Sequence, residues 1–208
     1  MQAETPPHLP VVHTIQPRIL YFGTPVVLIT SCNEDSTPNL APMSSAWALG
    51  WTVILGLGMD GKTFENLSQR GECVLNFPSD DLWMAIERLA PLTGKCPVPP
   101  HKQAQFRYEK DKFSAAGLSP VPSERVSVPR VAECPLQMEG LVRNIHFIGG
   151  EENDIAAVEV EIIQVHAYEK IMQTSNHINP EMWRPLIYNF RHYFGLGQEL
   201  GKSFRSET

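Results

Sequence analysis

The chain is 208 residues long, 42% hydrophobic and 19% charged, which marks a folded globular protein with one core and too little length for two full domains. Its formal net charge is -6, and no run or stripe of Lys and Arg exists to collect phosphates. A nucleic-acid surface is therefore excluded, whereas a local basic loop for one small anion is not.

The opening MQAETPPHLP has neither a basic start nor an apolar stretch and is not expected to be a secretory signal. Residues 25–31, PVVLITS, form a β-branched apolar run ended by the polar NEDSTPN, a strand followed by a turn. Residues 39–47, NLAPMSSAW, follow at hairpin distance. Pro42 cannot donate to a ladder, so this segment is an edge, a bulge or a strand interrupted where something else approaches. WTVILGLG (51–58) predicts a third strand. TFENLSQRG (63–71) predicts a short helix with Phe64 and Leu67 on one face and Gly71 placed to stop it. ECVLNFP (72–78) is a fourth strand. SDDLWMAIERLA (79–90) is a helix with a Ser79 cap, acids in its first turn and an apolar face of Leu82, Trp83, Ile86 and Leu89.

Seven prolines fall between residues 91 and 130, predicting a long irregular excursion broken by EKDKFSAAGL. A loop of that length inside one domain is usually a lid or a partner-contacting segment. Strand character returns at 134–148, and the turn GGEEND leads into 155–170, whose VEVEIIQV alternates; the pair predicts a hairpin or meander. The segment 176–197 is aromatic-rich and weakly periodic. No apolar run approaches the roughly 18 residues of a membrane helix. Cys32, Cys73, Cys96 and Cys134 form no C-x-x-C pair, which predicts free thiols in a reducing cytoplasm.

GLGMDGKT (56–63) satisfies two nucleotide patterns at once. Gly56, Gly58 and Gly61 spell G-x-G-x-x-G, while Gly56, Gly61, Lys62 and Thr63 spell G-x-x-x-x-G-K-T. A P-loop fold needs further βα units and a strand ending in a magnesium-binding Asp, yet prolines and antiparallel-looking strands follow residue 90. A dinucleotide fold fails for the same reason, although Asp80 and Asp81 sit at a tempting distance, and Gly61 precedes the helix instead of lying inside it. The physics of the loop survives without either fold. Glycines let backbone N–H groups approach an anion, a helix N-terminus adds donors, Lys62 adds charge and Thr63 a hydroxyl. The plain alternative is a surface turn capped by Thr63.

In order from about residue 15 to 197, PVVLITSCNEDSTPNLAPMSSAW, GKTFENLSQRGECVLNFPSDDL, EKDKFSAAGLSPV, VAECPLQMEG and WRPLIYNFRHYFGLG resemble the flavin reductase-like family, closest to its flavoredoxin-like subgroup. The resemblance implies a single domain over 1–208: an FMN-binding split β-barrel, mainly antiparallel β of Greek-key type with a few helices. It implies a homodimer with one FMN per subunit at or near the interface. Pro42, Met43, Ser44, Ser45, Ala46 and Trp47 match the family strand beside the isoalloxazine ring, with backbone groups and hydroxyls of Ser44, Ser45 and Ala46 at its polar edge. Gly61, Lys62, Thr63 and Asn66 match the ribityl phosphate position. The loop would then hold the monophosphate of FMN.

Arg184 is a candidate for either the flavin phosphate or a partner-subunit carboxylate. Trp47 and Trp183 could contact the flavin or nicotinamide, but aromatic residues this apolar are more often core or dimer packing. His146, His166, His177 and His192 lack metal-ligand spacing, so no metal is expected. Cys96 lies in the Pro-rich excursion without a basic helix terminus to activate it. The functional expectation is a cytoplasmic NAD(P)H-dependent FMN reductase that supplies electrons to an oxygenase or other acceptor, binding neither nucleic acid nor membrane. An FMN-binding electron carrier or sensor without its own nicotinamide turnover is the alternative, and a P-loop nucleotide hydrolase the remote one.

Overall fold

Short β-branched segments separated by tight turns build four consecutive strands near the N-terminus of this computed structural model, which describes residues 10–149 and 154–204. They follow β1 (Phe22–Pro25) and are β2 (Val27–Cys32), β3 (Pro38–Met43), β4 (Ala46–Leu49) and β5 (Thr52–Gly58). Helix α1 (Lys62–Arg70) and β6 (Glu72–Phe77) come next, and β7 (Leu136–Ile148) and β8 (Ile155–Ala167) form the long hairpin expected from the alternation. Seven of these strands pair in the order β3-β2-β6-β7-β8-β5-β4, every ladder antiparallel.

The two edges of that sheet are neighbours in sequence. Laid flat, seven strands would be roughly 29 Å across, yet only Ser44 and Ser45 separate β3 from β4, a reach of about 11 Å from Met43 to Ala46. The sheet must therefore curl until its edges meet. Gly56 N–H donates to Ser45 C=O at 2.7 Å, one step beyond the Ala46–Leu55 pair of β4 and β5, and no ladder joins β3 to β4 or β5 among the described residues. The result is a split barrel of antiparallel strands. Among the described residues parallel pairing is confined to Leu92–Thr93 against Arg107–Tyr108, and the parallel sheet that either nucleotide motif of the Gly-rich loop would need is not formed there.

Period-two burial separates two apolar layers. Val27, Ile29, Leu55, Leu75, Val158 and Val160 fill the barrel, and Leu67 of α1 joins them from one end. Leu28 and Leu40 point outward into a second cluster with Ile86, Leu89, Phe113 and Leu186. Gly71 ends α1 with φ 68, its N–H returning to Leu67 C=O, as a left-handed glycine cap does.

Three expectations need correction. Ser79 does not cap the helix at 79–90: its hydroxyl bonds the Asp81 carboxylate at 2.5 Å, a 3-10 turn spans Asp80–Leu82, and α2 runs Trp83–Leu89. Trp83 is half exposed, and Ala85 takes its place on the buried face. The excursion is better ordered than its prolines suggest. It contains α3 (Lys112–Ala116), capped by Asp111 accepting from Ser114 N–H at 3.1 Å. The aromatic C-terminal segment adds β9 (Ile187–Asn189) and β10 (His192–Phe194), which pair with β1. No helix among the described residues is long and apolar enough to cross a membrane.

The second half of the excursion is held by a buried carboxylate. Glu139 on β7 is 0% exposed and accepts from the N–H groups of Glu124, Arg125 and Val126 at 2.9, 2.6 and 3.1 Å, with His166 Nε2 at 2.6 Å. Beside it, Glu72 accepts from Ser127 N–H at 2.9 Å. Burial alone would raise the Glu139 carboxyl, but its backbone donors and His166 outweigh that and hold it below the ordinary glutamate value. Its contribution is therefore present above the unfolded-state pKa and lost as pH falls through the native one. Glu139→Gln places an NH2 against backbone donors. It should cost about 3 kcal/mol in urea denaturation and raise amide exchange at residues 124–127 first; unchanged exchange there would refute the clamp.

Candidate functional site

The split of the barrel is a seam with a fastening at each end. At one end Gly56 N–H meets Ser45 C=O. At the other, Asn39 Nδ2 on β3 donates to Thr63 Oγ1 on α1 at 3.3 Å. Between them no strand ladder joins Leu40–Ser44 to β5 among the described residues. Asn39 and Ser44 are about 17 Å apart along β3. Pro42, Met43 and Ser45 are partly buried along this edge, Ser44 and Ala46 are buried, and Trp47 is 59% exposed just beyond. Gly56 is required here: a Cβ on it would stand 3.0 Å from the Ser45 Cβ.

Gly61 is the N-cap of α1 and offers no side chain, so the first N–H groups of the nine-residue helix are left as donors. Lys62 does not stand free. Its side chain is 10% exposed, and its ammonium donates to Glu34 Oε1 at 2.8 Å and Glu65 Oε1 at 2.5 Å. An ammonium has three donors, so one is uncommitted. Lys62 in turn holds the Glu34 carboxyl below its ordinary value. Lys95 shares Glu65, Lys110 pairs with Asp35 at 2.5 Å, and Lys102 and His101 both reach Asp60, at 2.6 and 2.9 Å. Burial would raise Asp60, but Lys102 and His101 prevail and lower it. The pairs of Lys62, Lys95 and Lys110 frame a cleft of about 260 Å³ lined also by Asn33, Asn39 and Gly94, among others.

Thr63 and Asn66 face inward, not into the open cleft. Asn66 is 0% exposed and donates to Ser31 Oγ at 3.1 Å and Asn33 Oδ1 at 3.0 Å, while its Oδ1 has no partner. Asn39 Nδ2 also reaches Ser31 Oγ at 3.4 Å, and Lys112 Nζ donates to Asn39 Oδ1 at 3.0 Å. The sequence reading left Asn39, Lys95 and Lys112 out of the site. Asn39 read as the end of a turn, and a lysine within EKDKF reads as solvated surface.

Arg184 lies elsewhere. Its Nε bonds Asp80 of the same chain at 3.2 Å and its Nη2 reaches Leu196 C=O at 3.4 Å. Leu186 C=O accepts from Val26 N–H at the start of β2, whereas Glu34, the partner of Lys62, follows the end of β2. About 20 Å of strand separates those ends, so within one subunit Arg184 and Lys62 cannot hold the same phosphate. Trp183 and Arg184 instead line a groove of about 830 Å³ along the C-terminal segment. Among the described residues no three His, Cys, Asp or Glu side chains converge as a metal site, and Cys96 is an exposed free thiol on the cleft.

Comparison with known proteins gives consistent likenesses. The pattern of the family described as "Flavin reductase like domain" matches residues 19–197. The uncharacterized protein YdfE of Bacillus subtilis is 51% identical over 195 residues, covering 93% of this chain and 94% of its own. Flavoredoxin of Desulfovibrio vulgaris superposes with a TM-score of 0.78 at 22% identity, covering 94% of this chain and 99% of its own. Nitrilotriacetate monooxygenase component B from Bacillus cereus does so with 0.75 at 20% identity, over 93% and 100% of the two chains. At such identities the last two speak to the fold.

Gly94 tests how tightly the cleft is built. An added Cβ would meet Asn39 Oδ1 at 2.6 Å and Lys62 Cγ at 3.0 Å, and Asn39 is pinned by its hydrogen bonds. Gly94→Ala should destabilise by about 1–3 kcal/mol in chemical denaturation. Gly197→Ala, with nothing within 4 Å, should be neutral.

Proposed function

The chain belongs to the flavin reductase-like family, and from that premise we propose that it binds FMN in the barrel seam and catalyses its reduction by NADH or NADPH. The observation that carries this reading is the seam itself: an edge strand, β3, with unladdered backbone groups, whose Asn39 end bonds the first turn of α1, where an uncapped helix N-terminus stands beside Lys62. The residues fit the group. Backbone groups and hydroxyls of Ser44, Ser45 and Ala46 would hold the polar edge of the isoalloxazine, with Pro42, Met43 and Trp47 along it. N–H groups at Lys62 and Thr63, with the uncommitted Lys62 donor, would take the phosphate; the Gly61 N–H already donates to Gly58 C=O at 3.2 Å. The unpaired Asn66 Oδ1 is a buried acceptor suited to a hydroxyl donor, which makes the ribityl chain its natural partner in this reading. Bound FMN would supply the hydride-accepting ring, so the chain needs no acid–base pair of its own. Its task is to hold the ring edge by fixed backbone dipoles and to anchor the phosphate.

The reading includes a homodimer with the flavin near the interface. Apolar surface supports it. Trp47, Leu49 and Trp51 are 59%, 75% and 65% exposed on the β4–β5 hairpin, and Phe190, Phe194 and Leu196 are 47%, 51% and 45% exposed on the C-terminal segment. A partner oxygenase is a fitting electron acceptor, by analogy with a relative whose name makes it a monooxygenase component. A cytoplasmic setting goes with this chemistry.

Purified protein reconstituted with FMN should show oxidised-flavin absorbance that NADH or NADPH bleaches without oxygen. A spectrum that neither nucleotide alters would count against turnover and leave a carrier. Lys62→Ala should weaken FMN by about tenfold to a hundredfold, since a charge-assisted contact is worth about 1.5–3 kcal/mol, and leave riboflavin unchanged; equal losses for both flavins would sink the phosphate assignment. For the dimer, Phe194→Ser with Leu196→Ser should halve the sedimenting mass and release flavin together. A monomer that keeps its flavin would refute the shared site.

A further inference from the structure

Lys112 carries a buried charge with little to balance it. Its residue is 3% exposed, its one hydrogen bond is to Asn39 Oδ1 at 3.0 Å, and it forms no ion pair among the described residues. Burial lowers its pKa to about 8, with the Glu109 carboxylate pulling the other way. An ammonium so placed is costly and is seldom kept for stability alone.

The bonds around it have a fixed direction. An ammonium only donates, so the amide oxygen of Asn39 must face Lys112. Asn39 Nδ2 is thereby turned toward Thr63 Oγ1 at 3.3 Å and Ser31 Oγ at 3.4 Å. An amide nitrogen also only donates, so Thr63 Oγ1 is an acceptor on that side and its own O–H is left to donate elsewhere. Thr63 stands in the first turn of α1, next to the free N–H groups and Lys62.

We propose that Lys112 is a positioning residue for phosphate recognition: acting through Asn39, it fixes the Thr63 hydroxyl as a donor to the anion held at the start of α1. This rests on the reading that Gly61–Thr63 receives the flavin phosphate. No contact between Lys112 and the ligand is required. Other charged groups facing this region are Glu109 before α3, Arg88 of α2, which donates to Ala116 C=O at 2.6 Å, and Lys62, Glu65 and Lys110 around the cleft. Burial brings the Lys112 ammonium down into the mildly alkaline range.

The test is flavin fluorescence titration of the full chain with FMN and with riboflavin, which lacks the phosphate. Lys62→Ala comes first, and a loss shared equally by both flavins would remove the premise itself. Given a loss confined to FMN, Lys112→Met should weaken FMN about tenfold and spare riboflavin, a loss of the size of one hydrogen bond to a charged group. Thr63→Val should do the same, and the double variant should be no weaker than either single one. Multiplying losses in the double variant, or wild-type FMN affinity in Lys112→Met, would overturn the proposal with the Lys62 result intact. Lys112→Gln keeps an N–H donor for Asn39 and should recover most of the FMN affinity. In the wild type the FMN-to-riboflavin affinity ratio should fall between about pH 7 and about pH 9, where the phosphate stays dianionic. In Lys112→Gln it should be flat, and a persisting fall would refute the assignment even if Lys112→Met fails to fold.

Discussion

The two-residue connection between β3 and β4 governs everything else in this molecule. It brings the outer strands of a seven-stranded sheet end to end although no ladder joins them. A sheet edge is normally a hazard, since its N–H and C=O groups will pair with whatever strand arrives. Here β3 parts from β5 beyond the Ser45–Gly56 bond, and its far end is tied to α1 by Asn39 and Thr63. Unpaired backbone is thus preserved in a sheltered place instead of being exposed or consumed. That is the condition for gripping a flat polar heterocycle by backbone alone.

Helix α1 depends on the same arrangement. Its apolar side, through Leu67, stops one end of the barrel, while Thr63 and Asn66 carry polar atoms into the seal. Those atoms need partners, and Ser31, Asn33 and Asn39 supply nearly all of them, with Lys112 bonding Asn39 in turn. The excursion is consequently part of the site as well as an appendage to it. Its first half contributes Gly94, Lys95 and Lys112 around α1, and its second half is pinned to the barrel by Glu72 and Glu139.

Local structure was largely legible in the sequence. Period-two alternation located the strands, and Gly71 located the end of α1, because both are set by near neighbours. The order of strands was not legible from pattern: that β3 and β4 are opposite edges follows from long-range pairing, which leaves no local trace, and the family resemblance supplied only the split-barrel class. Side-chain partners were least legible. Ser79 beside two acids reads as a cap, and nothing nearby reveals that its hydroxyl turns to Asp81. Lys112 sits among charges in EKDKF, and its burial is decided by residues some seventy positions away on β3. Lys62 and Arg184 were both candidates for one phosphate until the fold put them at opposite ends of β2. The Phe190–Arg191 turn, with φ values of 44 and 68, was likewise hidden, because left-handed turns usually advertise themselves with Asn or Gly.

The ion pairs around the cleft have a kinetic side. Lys62, Lys95, Lys102 and Lys110 are each matched with a carboxylate, so the lysines cast almost no field beyond the surface. A doubly charged ligand drifting toward a chain of net charge -6 finds no funnel to guide it. Encounter is left to ordinary diffusion and orientation, and the donors at α1 act only at contact. Tight binding by such a site is expressed in how slowly the ligand departs, not in how fast it arrives.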